Sequence, residues 1–336
     1  VQAGAEILAE ELCFALEEQG NFAEIVKLPF KWLPPERILD QMLATRLFDV
    51  SESHGQPIDR VIGLKFPAYF VPHPSKFLWI LHQHRQAYEL WEHPLGDLAQ
   101  FPNGRLVRDA VREADCRLIP EAEQVFTISQ NVSSRLRKYC GIDSEPLYHP
   151  PRNADSFFCG DQGDYLLCPS RINQSKRQDL VVDAVAKTKQ PVKVRCVGSA
   201  DEPEYANSLR QRIGVLGVED RILFDGQVSD RKKVELYAHS SGVIFTPVDE
   251  DYGYITLEAM LSSKPVICCS DSGGPLEFVI PSQTGYVVPP SPECLADAMD
   301  TIWADRSNAK RLGRAGRDRF EELGISWTNV VERLVS

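Results

Sequence analysis

The chain has 336 residues, 43% of them apolar and 25% charged, with a formal net charge of −11, which is enough polypeptide for two domains with separate cores. Residues 1–150 carry 15 Lys/Arg against 21 Asp/Glu and the remainder 22 against 27, so neither half offers the basic face of a nucleic-acid binder. No apolar run reaches the roughly 18–20 residues that span a bilayer, and nine cysteines without a C-x-x-C pair point to free thiols in a reducing cytoplasm.

In chain order, residues 5–19 place Ile7, Leu8, Leu12, Phe14 and Ala15 at helical spacing, and Gly20 ends the run. Residues 23–28 read as a strand, and Pro34-Pro35 opens a helix carrying Ile38, Leu39 and Met42. Strands are expected at 60–64 and 77–81, a helix at 105–114 and a strand at 124–128. Ser129 is placed to cap the next helix, which Gly141 closes. Residues 144–163 are rich in Pro, Asp and Gly and read as a linker.

A second alternating series follows. Strands are expected at 165–168, 192–197, 221–224, 242–246, 265–269 and 285–288, and helices at 178–187, 204–216, 230–239, 255–262 and 292–303. Strand–helix alternation with short connections predicts parallel sheets covered on both faces, hence an α/β chain of two doubly wound, Rossmann-like domains over 1–150 and 151–321. The tail from Trp327 reads as a helix. The chain opens on Val1, and the natural start is expected upstream.

In an open parallel sheet, ligands bind beyond the carboxyl ends of the strands, where helix N-termini favour anions. After the first strand of the second half, Arg171 and Lys176 sit five apart in a loop leading into a helix. Two cations there suit a diphosphate, although such a loop taken alone reads equally as solvated surface charge. Further on, Glu250 and Glu258 bracket a helix start at Gly253. Backbone N–H groups at Gly253, Tyr254 and Ile255 are available to a ligand, and carboxylates accept paired hydrogen bonds from the vicinal diols of ribose or pyranose.

The run from Glu250 to Glu258 with Gly253, Ala259 and Met260 resembles the signature of the family 4 retaining glycosyltransferases of GT-B fold. Its continuation through Lys264, Gly273, Gly274, Glu277 and Gly285, the Arg171/Lys176 loop, and the turn at Gly226-Gln227-Val228 follow the same family in the same order. The resemblance covers most of residues 165–320 and implies two Rossmann-like domains facing a central cleft. It further implies a donor diphosphate on Arg171 and Lys176, a nucleotide ribose on Glu258 and a donor sugar near Glu250. Backbone contacts would come from Gly253, Tyr254 and Ile255, and the base would lie near Gly198, Gln227 and Val228.

The first half shows less. Ala3, Gly4, Ala5 and Glu6 look like the end of the family's Gly-rich loop, with Ala3 where glycine is usual. His82, directly after an expected strand, is placed as the active-site histidine, with His84 in reserve; Gln83 stands where the family commonly has Asp. A metal held by His82, His84 and His93 would need Glu89 or Glu92 and is not expected. Tyr69, Phe70, Trp79, Tyr88 and Trp91 crowd this region, as acceptor platforms or as core.

The implied activity is metal-independent transfer from a nucleoside-diphosphate sugar to a hydroxyl acceptor (saccharide, lipid-linked or other), with retention. No cofactor beyond the donor substrate is expected, and no nucleic-acid partner. Peripheral membrane contact stays open. The rival readings are a sugar-nucleotide epimerase and a catalytically silent binding subunit.

Overall fold

The computed structural model describes residues 4–336; Ala3 lies outside the described residues. The strands are β1 (Glu52–Ser53), β2 (Gln56–Pro57), β3 (Val61–Gly63), β4 (Lys76–Ile80), β5 (Gln124–Thr127), β6 (Glu145–Pro146), β7 (Leu166–Pro169), β8 (Val194–Val197), β9 (Ile222–Gly226), β10 (Val243–Ile244), β11 (Val266–Cys269) and β12 (Gly285–Val288). The helices are α1 (Gly4–Glu18), α2 (Glu36–Leu47), α3 (Gly104–Leu118), α4 (Gln130–Cys140), α5 (Gln178–Lys187), α6 (Pro203–Leu216), α7 (Asp230–Ala238), α8 (Tyr254–Leu261), α9 (Pro292–Ala304), α10 (Arg306–Glu322) and α11 (Trp327–Val335).

Two compact units result. One comprises the described residues up to His149 together with Ser326–Ser336, the other Pro150–Ile325. In the second unit six parallel strands run in the order β12-β11-β10-β7-β8-β9. Alternate strand residues Leu166, Cys168, Val194, Cys196, Ile222, Ile244, Ile267 and Cys269 enter one core, with α5, α6 and α9. The intervening Leu167, Val243, Val266 and Cys268 are equally buried on the other face. Both faces are therefore covered, and polar work is left to the loops at the strand ends.

In the first unit β3, β4, β5 and β6 form a parallel sheet. Every residue of β4 is buried. Ser129 caps α4 by accepting from the Val132 N–H, and Gly141 ends it at φ 68°. α11 packs on α1, anchored by Arg60, which donates to the Leu334 carbonyl at 2.8 Å, and by the Arg333–Glu145 ion pair. Trp79, His149 and Trp327 form one aromatic cluster.

Three sequence expectations are corrected. Residues 23–28 form no strand; no described strand pairs with them, and Phe22 and Val26 stay 88% and 63% exposed, so the apolar run never gains a partner edge. The expected linker begins with a strand, because Glu145–Pro146 joins β5 and the Leu147 N–H reaches the Thr127 carbonyl at 2.8 Å. Helix α10 went unread; only Ala309, Leu312 and Phe320 supply its buried apolar stripe, together with the buried Gly313 and Gly316. It packs against α8, and its Arg319 donates to the Glu277 and Phe278 carbonyls.

The first unit also buries a polar cluster. Asp115 is fully enclosed and accepts from Tyr69 Oη (2.9 Å), Tyr88 Oη (2.7 Å) and Gln83 Nε2 (2.8 Å). Burial pushes its carboxyl up to about 6, against the pull of those bonds. Burial pushes His149 down to about 3, and burial with the His82 charge pushes His84 down to about 4. A depressed histidine lends stability above its unfolded value that is lost as pH falls; a raised carboxyl lends stability at low pH that is lost as pH rises through about 6. The two effects oppose each other on acidification. Asp115→Asn removes the compensating one, worth about 3 kcal/mol for about two pKa units. Urea midpoints at pH 4.5 and 6.5 are expected to fall further apart in the variant than in the wild type.

Candidate donor-binding site

The strand order of the second unit reverses between β7 and β10, which are neighbours with their following loops running to opposite sides. The loop after β7 turns on Asn173, whose Oδ1 accepts from Ser175 Oγ (2.8 Å) and the Lys176 N–H (3.2 Å). That turn aims Lys176 across the reversal at Glu250, in the loop after β10, and the two form a direct ion pair. Their side chains are 12% and 26% exposed, so the pair is partly desolvated and still reachable.

Glu250 is fixed from behind by the loop after β11. Its N–H donates to the Ser272 carbonyl at 2.9 Å, and its carbonyl accepts from Gly274 N–H at 2.8 Å. Gly253 then takes φ 101° and starts α8; a Cβ there would lie 2.9 Å from Pro275 Cγ, so only glycine fits both the backbone and the space. The first-turn N–H groups of α8, at Tyr254 and Ile255, point where the macrodipole is positive. Glu258, on the next turn, is 7% exposed and meets Lys233 at 2.7 Å.

Arg171 does not join Lys176. It is 61% exposed and pairs with Asp201 at 2.9 Å, in the loop after β8. Asp201 also accepts from Asn173 Nδ2 at 2.9 Å, so the carboxylate ties the loops after β7 and β8 together. Gly198 opens the latter loop at φ 149°, where a Cβ would stand 2.2 Å from the Ser170 carbonyl. Beside it a cavity of about 170 Å³ is lined by Ile172, Gly198, Ala200, Ala206, Arg210 and Phe224. Gln227 is exposed and Val228 half-buried, between β9 and the Ser229 cap of α7.

Sequence reasoning passed over Arg177. At φ 56° it forks onto Asp271 (2.7 and 2.8 Å) and donates to the Thr246 and Pro247 carbonyls, both at 2.7 Å. One guanidinium thus joins the loops after β7, β10 and β11. The only signal was a second cation beside Lys176 and an acid in the Gly-rich loop.

In the first unit His82 follows β4 by two residues and is half-buried, with Nδ1 2.7 Å from the Gln83 carbonyl. His84 lies against Phe30 and Phe66. Glu89 is engaged by Arg85 and Arg135, and among the described residues no group of three His, Cys, Asp or Glu is placed to hold a metal. Tyr69, Phe70, Trp79 and Tyr88 are core, at most 4% exposed, so they are not acceptor platforms; Trp91 is half-buried under the Arg108 guanidinium.

Residues 155–319 match the sequence profile of the family described as "Glycosyl transferases group 1". The chain is 32% identical over 125 residues to the alpha-1,3/1,6-mannosyltransferase ALG2 of Dictyostelium discoideum, covering 37% of this chain and 30% of that protein. It is 31% identical over 186 residues to the lipopolysaccharide core biosynthesis mannosyltransferase LpcC of Rhizobium leguminosarum bv. viciae, covering 52% and 51%. The matches therefore span about half or less of these relatives' lengths. Its fold superposes on Anabaena Alr3699/HepE, solved in complex with UDP-glucose, with a TM-score of 0.70 and 17% identity over 99% of this chain and 95% of that one.

Arg177→Met severs two carbonyl bonds and a fork from a side chain only 15% exposed, a loss of about 2–3 kcal/mol. Urea unfolding of the variant is expected to show that loss in the second unit, and Arg177→Lys to recover part of it.

Proposed function

We propose that the chain, a GT-B fold whose residues 155–319 match the group 1 glycosyltransferases, is a glycosyltransferase of family 4 type that moves a glycosyl group from a nucleoside-diphosphate sugar to an acceptor hydroxyl, with retention and without a metal. The observation that carries the reading is the Lys176–Glu250 pair across the strand-order reversal, beside the N-terminus of α8. A cation, a carboxylate and a positive helix end at one edge suit a ligand that is anionic at one end and polyhydroxylated at the other.

In this reading Lys176 gives up Glu250 for the departing diphosphate, and Arg171 leaves Asp201 to join it. The bond from the anomeric carbon to the phosphate oxygen breaks, and its electron pair stays with the diphosphate. The acceptor oxygen bonds to the same face of that carbon, and its proton passes to the departing phosphate. Lys176, Arg171 and the first-turn N–H groups of α8 meet the leaving-group charge by preorganisation. Glu250 steadies the oxocarbenium-like sugar. Glu258 takes the ribose, and the base lies near Gly198, Gln227 and Val228.

Both relatives reported above carry mannosyltransferase names, so mannose is the first glycosyl group to test. The acceptor class we propose is a saccharide or lipid-linked saccharide.

A thermal-shift panel of nucleoside diphosphates and their sugars tests the reading. At a hundredfold excess over Kd, a ligand of the folded state adds about 2.7 kcal/mol. One diphosphate and its sugar conjugate are expected to raise Tm, and silence across the panel would overturn the assignment. Lys176→Ala is expected to weaken that diphosphate tenfold or more, about 1.4 kcal/mol. Glu250→Gln should retain diphosphate binding while donor turnover falls at least about a hundredfold.

A further inference from the structure

Glu258 is a carboxylate almost withdrawn from water, and such a charge is costly unless it is paired. Its partner is not on its own helix. Lys233 comes from α7, which Ser229 starts by accepting from the Lys232 N–H, and its ammonium meets Glu258 Oε1 at 2.7 Å. With side chains 30% and 9% exposed, this is not a surface ion pair of negligible worth.

The surroundings hold the lysine in place. The Phe157 ring lies 5.7 Å from Nζ, and Tyr237, one turn further along α7, is fully buried. Burial, together with the Glu258 charge, holds that phenol well above its ordinary pKa. α7 also follows directly on β9 and residues 226–228, so Lys233 links the chain next to the proposed base position with the carboxylate of α8.

We propose that Lys233 is a positioning residue for Glu258, fixing the plane of the carboxylate that accepts the two ribose hydroxyls of the donor. Each carboxylate oxygen has two acceptor sites, so Oε1 holds the ammonium and still accepts a hydroxyl. The role rests on the nucleotide-sugar reading above. Without the lysine, the buried carboxylate is free to rotate, and a rotated carboxylate no longer receives a vicinal diol squarely.

The test compares two probes by calorimetry: the nucleoside diphosphate giving the largest thermal shift, and its 2′,3′-dideoxy analogue. The wild type is expected to prefer the ribose form by tenfold or more, about 1.4 kcal/mol. Glu258→Gln should reduce that preference to a few-fold, and Lys233→Met should reduce it to the same level. Lys233→Arg, which keeps the charge, should restore most of it. Equal weakening of both probes in Lys233→Met would mark a merely structural contact and overturn the role, as would an unchanged ribose preference, or none in the wild type. If Lys233→Met does not fold, Lys233→Gln is read by the same criteria. Failure of the wild type to bind any nucleoside diphosphate sinks the nucleotide-sugar reading itself, an outcome distinct from these.

Discussion

A parallel sheet buried on both faces can present polar groups only where its strands end, and in the second unit those ends diverge at the reversal between β7 and β10. The Lys176–Glu250 ion pair bridges that divergence. Much of the surrounding structure serves to keep it there: the Asn173 turn below the lysine, the Ser272 and Gly274 bonds behind the glutamate, and the Arg177 fork that joins three loops. These bonds run from loop to loop and leave little freedom for either charge to drift.

Besides the Arg177–Asp271 fork, three cations at this edge are each matched by a carboxylate: Lys176 by Glu250, Arg171 by Asp201, and Lys233 by Glu258. The pairs differ in burial, and that difference sorts them. Arg171 is largely exposed, so exchanging Asp201 for an incoming anion costs little. Lys176 is mostly enclosed, and its exchange for a phosphate keeps one charge partner in place of another. Glu258 is the driest carboxylate of the three, its side chain 9% exposed, and removing Lys233 would strand it.

The first unit spends its buried polar groups differently. Among the described residues Asp115 relies on two phenols and an amide, the amide from Gln83, the residue after His82. The aromatic crowd of this region closes over that carboxyl and over Trp79. Those rings therefore secure the turn that carries His82 and do not form an exposed platform.

Periodicity alone was enough for the alternating architecture, because strands buried on both faces read as unbroken apolar runs and the helices between them carry legible Ser and Gly punctuation. It also brought out Lys176, Glu250, Gly253 and Glu258, since spacing from a strand end is a local property. Partner choice is not local. Residues 23–28 are as apolar as a strand but find no edge to pair with, and α10 is too polar to announce itself yet is held by packing on α8. Arg171 lies five residues from Lys176 and turns instead to an aspartate thirty residues on, while Arg177 and Lys233 look like ordinary surface charges until distant loops close on the one and helix α8 on the other. Which charge meets which is decided by the order of strands in the sheet, and that order is set by how the whole chain packs, not by any window of it.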